Sequence, residues 1–353
     1  MNVDRFWYAN QTVTIPAVWH NISGLVSLLC LIFGVISNGL VIFVFTKNDN
    51  LQRPRNYFLI NLAITDLGLL LTNNSMHVIS SFRKHWIFGQ IGCNFYSVCG
   101  GVFGLTSIAT MASISLNRLS AVNDPFSSLK LSSRLTLRCL AFTWIYGSIW
   151  IIPPLFGWNR FILEGFGTSC TFDYVSTDLL DRLFIIMLVT GGFFIPLSII
   201  LLSYCSILSK LSERGRQLTL SKTDDERCLN QSNVITRSLM ICALFCLAWG
   251  PYALMALISL AGFNHLVNAY ITSMLGILTK FAACINPLIY AISLNGFYEQ
   301  IQSYVRWICR CGRRHNRPYK SSNLDLSRRN LSNLIEYNNR QQTHSTPVNR
   351  DST

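Results

Sequence analysis

Long apolar stretches alternate with short polar ones along this chain, and the apolar stretches predict its architecture. Seven of them, at about 24–46, 57–80, 92–122, 135–156, 182–208, 234–261 and 267–292, reach the length at which a helix crosses a bilayer, roughly 20 residues. The third is bounded by polar residues and includes Asn94 and Asn117; the others are plainly apolar. Pro153, Pro154, Pro196, Pro251 and Pro287 lie within or at the ends of the runs. Membrane helices tolerate them because neighbouring side chains and water satisfy the carbonyls that proline frees. The prediction is an all-α membrane protein: a seven-transmembrane helix bundle over 24–295.

The polar segments orient it. Segments 47–56, 117–138 and 208–237 carry 13 Lys and Arg residues, whereas 1–24, 80–92, 157–182 and 262–268 carry five. The richer set is expected to be cytoplasmic and the N-terminus, 1–23, extracellular. Residues 1–23 show no apolar stretch ahead of a small-residue cleavage site, so the first run is expected to act as an uncleaved anchor. The acceptor triplets at Asn10 and Asn21 then face outward as candidate glycosylation sites, whereas those at Asn73, Asn230 and Asn330 fall in the membrane or the cytoplasm. Beyond the seventh run, Phe297, Ile301, Val305 and Ile308 recur at helical spacing. This predicts a short amphipathic helix on the membrane surface within 296–311. Cys309 and Cys311 sit there among Arg306, Arg310 and Arg313 as candidate palmitoylation sites. Residues 312–353, rich in Asn, Arg, Ser and Thr, are expected to form a disordered cytoplasmic tail.

Composition agrees. Charged residues make up 13% of the chain, against about 25% in soluble domains. The net charge of +13 sits between apolar runs and in the tail, which is the cytoplasmic excess of a membrane protein and not a nucleic-acid surface. Most of the cysteines (Cys30, Cys99, Cys139, Cys205, Cys242, Cys246, Cys284) lie in apolar runs, where a thiol acts as a small hydrophobe, and no Cys-x-x-Cys with partner histidines suggests zinc.

Each run carries a signature. They are Gly34–Asn38 in the first, Leu62-Ala-Ile-Thr-Asp66 in the second, Asn117-Arg118 ending the third, Trp144 in the fourth and Pro196 in the fifth. Ala248-Trp249-Gly-Pro251-Tyr252 marks the sixth and Asn286-Pro287-Leu-Ile-Tyr290 the seventh. Together and in this order they resemble the class A G-protein-coupled receptors over about 24–310. Lys280, seven residues before Pro287, stands where the opsins of that class hold the lysine that binds retinal as a Schiff base. Physics points to function independently. Lys280 has 12 or 13 mostly apolar residues on either side, too many for its side chain to snorkel to water. A charge there costs about 2.5–3.5 kcal/mol on insertion scales. Desolvation favours the neutral amine, the form that attacks an aldehyde.

The resemblance assigns further roles. A protonated Schiff base needs a counterion. Tyr96, three residues after Cys93, occupies the place where vertebrate visual opsins carry a glutamate; it can hydrogen-bond but not balance charge. Glu164, six residues before Cys170, lies in the outer loop where many invertebrate opsins place the counterion. Glu164 is therefore expected to be the counterion and Tyr96 a neighbour of the Schiff base. The family pattern pairs Cys93 with Cys170, which would draw the loop over the bundle. Trp249 and Tyr252 resemble the aromatic wall against which retinal packs. Asp66, with Asn38 and Asn286, resembles the family's interior polar network, and Arg118, Asn117, Pro287 and Tyr290 its activation and coupling machinery. The loop from Pro153 through Trp158 and Glu164 to Tyr174 most resembles rhabdomeric opsins and melanopsins.

Two departures stand out. Asp-Arg-Tyr, usual at the end of the third span, is Asn117-Arg118-Leu119, and the facing position in the sixth is Gln231, so Arg118 lacks its acidic partners. After Tyr290 the chain reads Ala-Ile-Ser-Leu-Asn295-Gly296, neither the His-Pro-Lys of rhabdomeric opsins nor the Asn-Lys-Gln of vertebrate ones, which leaves the choice of G protein open. The resemblance implies a light-sensing receptor, not an enzyme, in the plasma or photoreceptor membrane. It would bind 11-cis-retinal or an analogue, activate a heterotrimeric G protein on photoisomerisation, and meet arrestin and a receptor kinase at its Ser/Thr-bearing tail. The alternatives are a retinal photoisomerase with weak coupling, kept open by the altered Asp-Arg-Tyr motif, and a receptor for a diffusible ligand, for which Lys280 is awkward. A transporter is disfavoured because no paired broken-helix repeats occur.

Overall fold

The computed structural model describes residues 14–123, 132–217 and 222–293. Asn10, the stretch 296–311 with Cys309 and Cys311, and the tail lie outside them, as do the side chains of Gln231 and Tyr290. The helices are α1 (Ala17–Lys47), α2 (Tyr57–Leu69), α3 (Ser75–Arg83), α4 (Gly89–Asn123), α5 (Ser133–Ile149), α6 (Ile152–Leu155), α7 (Leu179–Met187), α8 (Ile195–Gln217), α9 (Lys222–Leu260) and α10 (Ala269–Ser293). A π-helical turn at Leu70–Asn74 joins α2 to α3, and a second at Leu188–Phe194 joins α7 to α8. The seven runs thus become seven spans: α1, α2–α3, α4, α5, α7–α8, α9 and α10. The predicted bundle is present.

Five of the spans are long and apolar enough to cross a membrane by length and composition alone. The second is divided by its π turn, and α5 has 17 residues. A π turn inserts one extra residue and rotates the following side chains, a device concentrated at functional sites. Here it brings the polar pair Asn73 and Asn74 inside, at 4% and 0% exposure. Leu29, Ile36, Phe142, Ile145, Leu202 and Leu247 are exposed on the outside of the bundle, the surface that lipid covers.

Helix ends depart from the apolar runs because backbone capping, not hydropathy, sets them. α1 begins after Pro16, seven residues before its apolar run, so Asn21 is an exposed helical residue. Ser132 caps α5 by accepting from the Leu135 N–H at 3.2 Å, and Asp178 caps α7 by accepting from Leu180 and Asp181. α3 closes on Lys84 in the left-handed region, φ 63°. α8 and α9 continue well beyond the apolar runs at 182–208 and 234–261, reaching Gln217 and beginning at Lys222.

The loop before α7 holds the only β-structure among the described residues. β1 (Phe161–Glu164) pairs antiparallel with β2 (Ser169–Phe172), placing Glu164 opposite Ser169 and Leu163 opposite Cys170. The all-α expectation omitted this hairpin. Its residues are almost entirely buried, and it packs against α3, α4 and α10. A disulfide joins Cys170 to Cys93 on α4 and ties the hairpin over the bundle.

Candidate functional site

Lys280 is on α10, 3% exposed, seven residues before Pro287 in the same helix. It lines a cavity with about 650 Å³ of non-atom space, together with Glu164, Tyr96, Trp249 and Tyr252. Five residues brought forward by sequence from four separate segments therefore meet at one place. A second cavity of about 690 Å³ adjoins the first, sharing Gly101, Thr171, Phe172, Trp249 and Tyr252. Its remaining wall is apolar, including Leu105, Ile108, Ile185, Val189, Phe193 and Ala253. The combined space is polar at the lysine end and oily at the other.

Glu164 is 5% exposed at the end of β1. The Tyr174 hydroxyl donates to one carboxylate oxygen at 3.3 Å and the Tyr252 hydroxyl to the other at 3.1 Å. Tyr252 also meets the Thr171 hydroxyl across the hairpin. Among the described residues Glu164 and Lys280 make no direct ion pair, although the lysine's charge acts on the carboxylate. Burial pushes the Glu164 carboxyl up to about 7, against the opposing pull of the Tyr252 hydrogen bond, the Lys280 charge and the Tyr174 hydrogen bond. The site thus offers an amine and a carboxylate facing one cavity, with the acid oriented by two phenols.

Trp249 stands between the cavities. It stacks on Phe245 with ring centroids 5.5 Å apart, and its indole packs against Gly104 of α4 so closely that a Cβ there would lie 2.6 Å from the ring. Glycine at 104 is what admits the indole. Tyr96 is 6% exposed, stacks edge-on with Trp86 at 5.5 Å, and accepts through its backbone carbonyl from the Asn73 amide at 2.7 Å.

Asn73, Ser169, Thr171 and Thr279 also line the lysine cavity, and Tyr174 holds the carboxylate from behind. Sequence reasoning passed over them. Asn73 carried a usable signal, since two adjacent asparagines inside an apolar run are costly unless they face the interior. Ser169, Thr171 and Tyr174 carried none, because polar residues in a loop are ordinary until the loop is known to fold inward.

The polar network deeper in the bundle is narrower than expected. Asn286 donates to the Asp66 carboxylate at 2.9 Å, whereas the Asn38 amide donates to the backbone carbonyls of Gly34 at 2.9 Å and Ala283 at 3.0 Å. Asn38 therefore ties α1 to α10 without reaching Asp66. Near the C-terminus of α4, Asn117 and Arg118 are half-buried. The Arg118 Nε is buried with no hydrogen-bond partner, and the guanidinium feels the like charge of Arg55 and the opposing influence of Tyr204.

The family model for seven-transmembrane receptors of the rhodopsin family matches residues 37–290. Rhodopsin from Enteroctopus dofleini is 33% identical over 331 residues, spanning 88% of this chain and 72% of that protein. Human melanopsin is 33% identical over 328 residues, spanning 89% of this chain and 69% of its own length. The crystal structure of squid rhodopsin superposes with a TM-score of 0.77 at 32% identity, covering 86% of this chain and 93% of the other.

Proposed function

The chain belongs to the rhodopsin family of seven-transmembrane receptors, and we propose that it is a light-sensing receptor whose Lys280 binds retinal covalently and whose inner end activates a heterotrimeric G protein. The single observation that carries this reading is Lys280: an amine 3% exposed inside a membrane bundle, facing a buried carboxylate across a cavity that no direct ion pair closes. The residues fit an aldehyde with a long apolar body. Lys280 supplies the nucleophile, Glu164 the balancing charge, and the apolar second cavity a place for the hydrocarbon beyond Trp249. When bound, retinal in its 11-cis form supplies visible absorption and a change of shape on illumination.

The chain's own residues do the rest. Glu164 keeps a positive charge on the Lys280 nitrogen tolerable in a low-dielectric interior, and the phenols of Tyr174 and Tyr252 hold its oxygens in place. Tyr96 offers its side chain to the same end of the cavity. Trp249, wedged against Gly104, is where α9 senses the cavity's shape. Pro251, two residues on and inside α9, removes a backbone hydrogen bond, so the helix bends there most cheaply. Outward movement of the inner part of α9 opens the face around Arg118, which a G protein then recognises. This is a shift between two helix packings, driven by the difference in how well each accommodates the contents of the cavity.

Several finer assignments accompany the reading. The N-terminus lies outside the plasma or photoreceptor membrane, with Asn10 and the exposed Asn21 bearing glycans. Cys309 and Cys311 are palmitoylated, Pro287 and Tyr290 transmit movement along the last span, and arrestin and a receptor kinase engage the tail. Expressing the chain, adding 11-cis-retinal and recording the spectrum before and after light tests the central claim: a visible band that changes on illumination is expected. Light-dependent nucleotide exchange on an added G protein separates a signalling receptor from a photoisomerase, which would turn over retinal without it.

A further inference from the structure

Besides the disulfide to α4 and the Tyr252 contacts from α9, the hairpin that carries Glu164 is fastened at two further points. One is on the lysine's own helix. Ser273 of α10 is 5% exposed, and its hydroxyl accepts from the Phe166 backbone N–H at 2.9 Å. Gly165, between Glu164 and Phe166, lies against the same serine; its φ is +65°, and any side chain there would collide with the Ser273 hydroxyl. The other point is His77 of α3, 2% exposed, which bonds the Thr168 carbonyl at 3.2 Å through Nδ1 and the Ser23 hydroxyl of α1 at 3.0 Å through Nε2. Phe166 itself is clasped by the rings of His20 and Tyr270.

Position decides what these two fasteners do. Ser273 precedes Lys280 by seven residues, close to two helical turns, and so shares its face of α10. The backbone next to Glu164 is thus seated on the helix that holds the amine, whereas the His77 contact reaches the hairpin four residues further on and from other spans. We propose that Ser273, with Gly165 against it, is a positioning residue that sets the separation between the Glu164 carboxylate and the Lys280 nitrogen, while His77 serves only to anchor the hairpin. The separation matters because the stabilisation of a cation by a carboxylate falls with distance, steeply where water is scarce.

The groups that titrate around this carboxylate are known. Tyr174 of the hairpin segment and Tyr252 of α9 bond it, Tyr96 of α4 lies close enough to be influenced by its charge, and Lys280 faces it from α10, with Cys30 of α1 and His77 of α3 in turn within electrostatic reach of the lysine. Ser273 touches none of them and does not titrate. Its removal therefore changes the pigment only by moving the carboxylate.

The inference rests on Lys280 as the retinal lysine, and the test separates the two. Full-length receptor is loaded with 11-cis-retinal, and its visible band is followed as pH rises until it gives way to the near-ultraviolet band of the uncharged linkage. Ser273→Ala is expected to shift the band and lower the midpoint of its loss by about one pH unit, the lower part of the range a nearby opposite charge commands. His77→Gln is expected to lower the melting temperature of the retinal-free protein without moving that midpoint. Gly165→Ala, which forces the hairpin off the serine, should move the midpoint in the same direction as Ser273→Ala, and the double variant should move it by less than the sum, because removing the hydroxyl relieves the collision. If Ser273→Ala yields no folded protein, Gly165→Ala alone carries the test. A midpoint unmoved in these variants, or moved equally by His77→Gln, overturns the proposal. No band from the unaltered receptor would instead end the retinal reading.

Discussion

Lys280 and Arg118 are both cations set into the bundle, one toward the end covered by the hairpin and one at the opposite end, and the protein treats them oppositely. Lys280 faces a buried carboxylate whose two oxygens are held by Tyr174 and Tyr252, under a hairpin tied down by a disulfide. Arg118 has Asn117 beside it where its relatives in class A usually carry an acid, feels the like charge of Arg55, and leaves its Nε without a hydrogen bond. Leaving a buried donor unpaired costs about 1–3 kcal/mol. The hairpin end therefore holds its carboxylate in place by two phenols, and the opposite end leaves the Nε of its arginine without a hydrogen bond. In a receptor the first property suits a site that must keep its ligand, and the second favours a low threshold for rearrangement.

The strongest way to break the comparison is to remove the outer cation. Lys280→Ala is expected to abolish the visible band formed with 11-cis-retinal altogether, as read by difference spectroscopy; an unchanged band would place the chromophore elsewhere. Removing only the balancing charge is the next largest change. Glu164→Gln should lower the pH at which the visible band is lost by about two units or more, since an opposite charge nearby typically shifts such equilibria by about 1–3 units. A pigment that titrates like the unaltered one would show that another group balances the charge.

The Arg118 end is probed by supplying what it lacks. Asn117→Asp offers Arg118 a carboxylate at an adjacent position and is expected to reduce nucleotide exchange in darkness roughly five- to tenfold, corresponding to about 1–1.5 kcal/mol of added restraint. A dark rate as high as that of the unaltered chain would mean that Arg118 is restrained by other means.

The smallest expected effect concerns the retinal-free protein. The Glu164 carboxyl titrates near 7 in the fold, against an ordinary value of 4.5. Between those values the folded state holds a proton that the unfolded chain has released, so stability falls as pH rises through the window. Relative to Glu164→Gln, the unaltered protein should accordingly lose a few degrees of melting temperature from pH 5 to pH 8. A difference between the two proteins that stays constant over this range would contradict the raised titration of this carboxyl.

Much of the site was legible because each of its principal residues is anomalous where it stands. Lys280 is a charge in an apolar run, Trp249 and Tyr252 flank a proline in a recognisable motif, and Cys93 and Cys170 are cysteines outside or at the edge of the spans. Residues without such an anomaly stayed hidden. Thr171, Ser169 and Tyr174 look like loop residues, Ser273 like a serine near a helix start, and Gly104 like any small residue in a membrane helix. Their roles depend on what lies beside them once the chain has folded: the cavity for Thr171 and Ser169, Glu164 for Tyr174, the hairpin for Ser273, and Trp249 for Gly104.

The order of apolar and polar residues, by itself, determined that the chain is a bundle of seven membrane spans and which lysine is out of place, because transfer between water and hydrocarbon is a property of local composition. That this lysine shares a cavity with a carboxylate was decided by a hairpin folding back over the bundle under a disulfide and resting on Ser273 of α10. Those are contacts between segments far apart in the chain, whose energies depend on distance and angle and so exist only once the helices have packed.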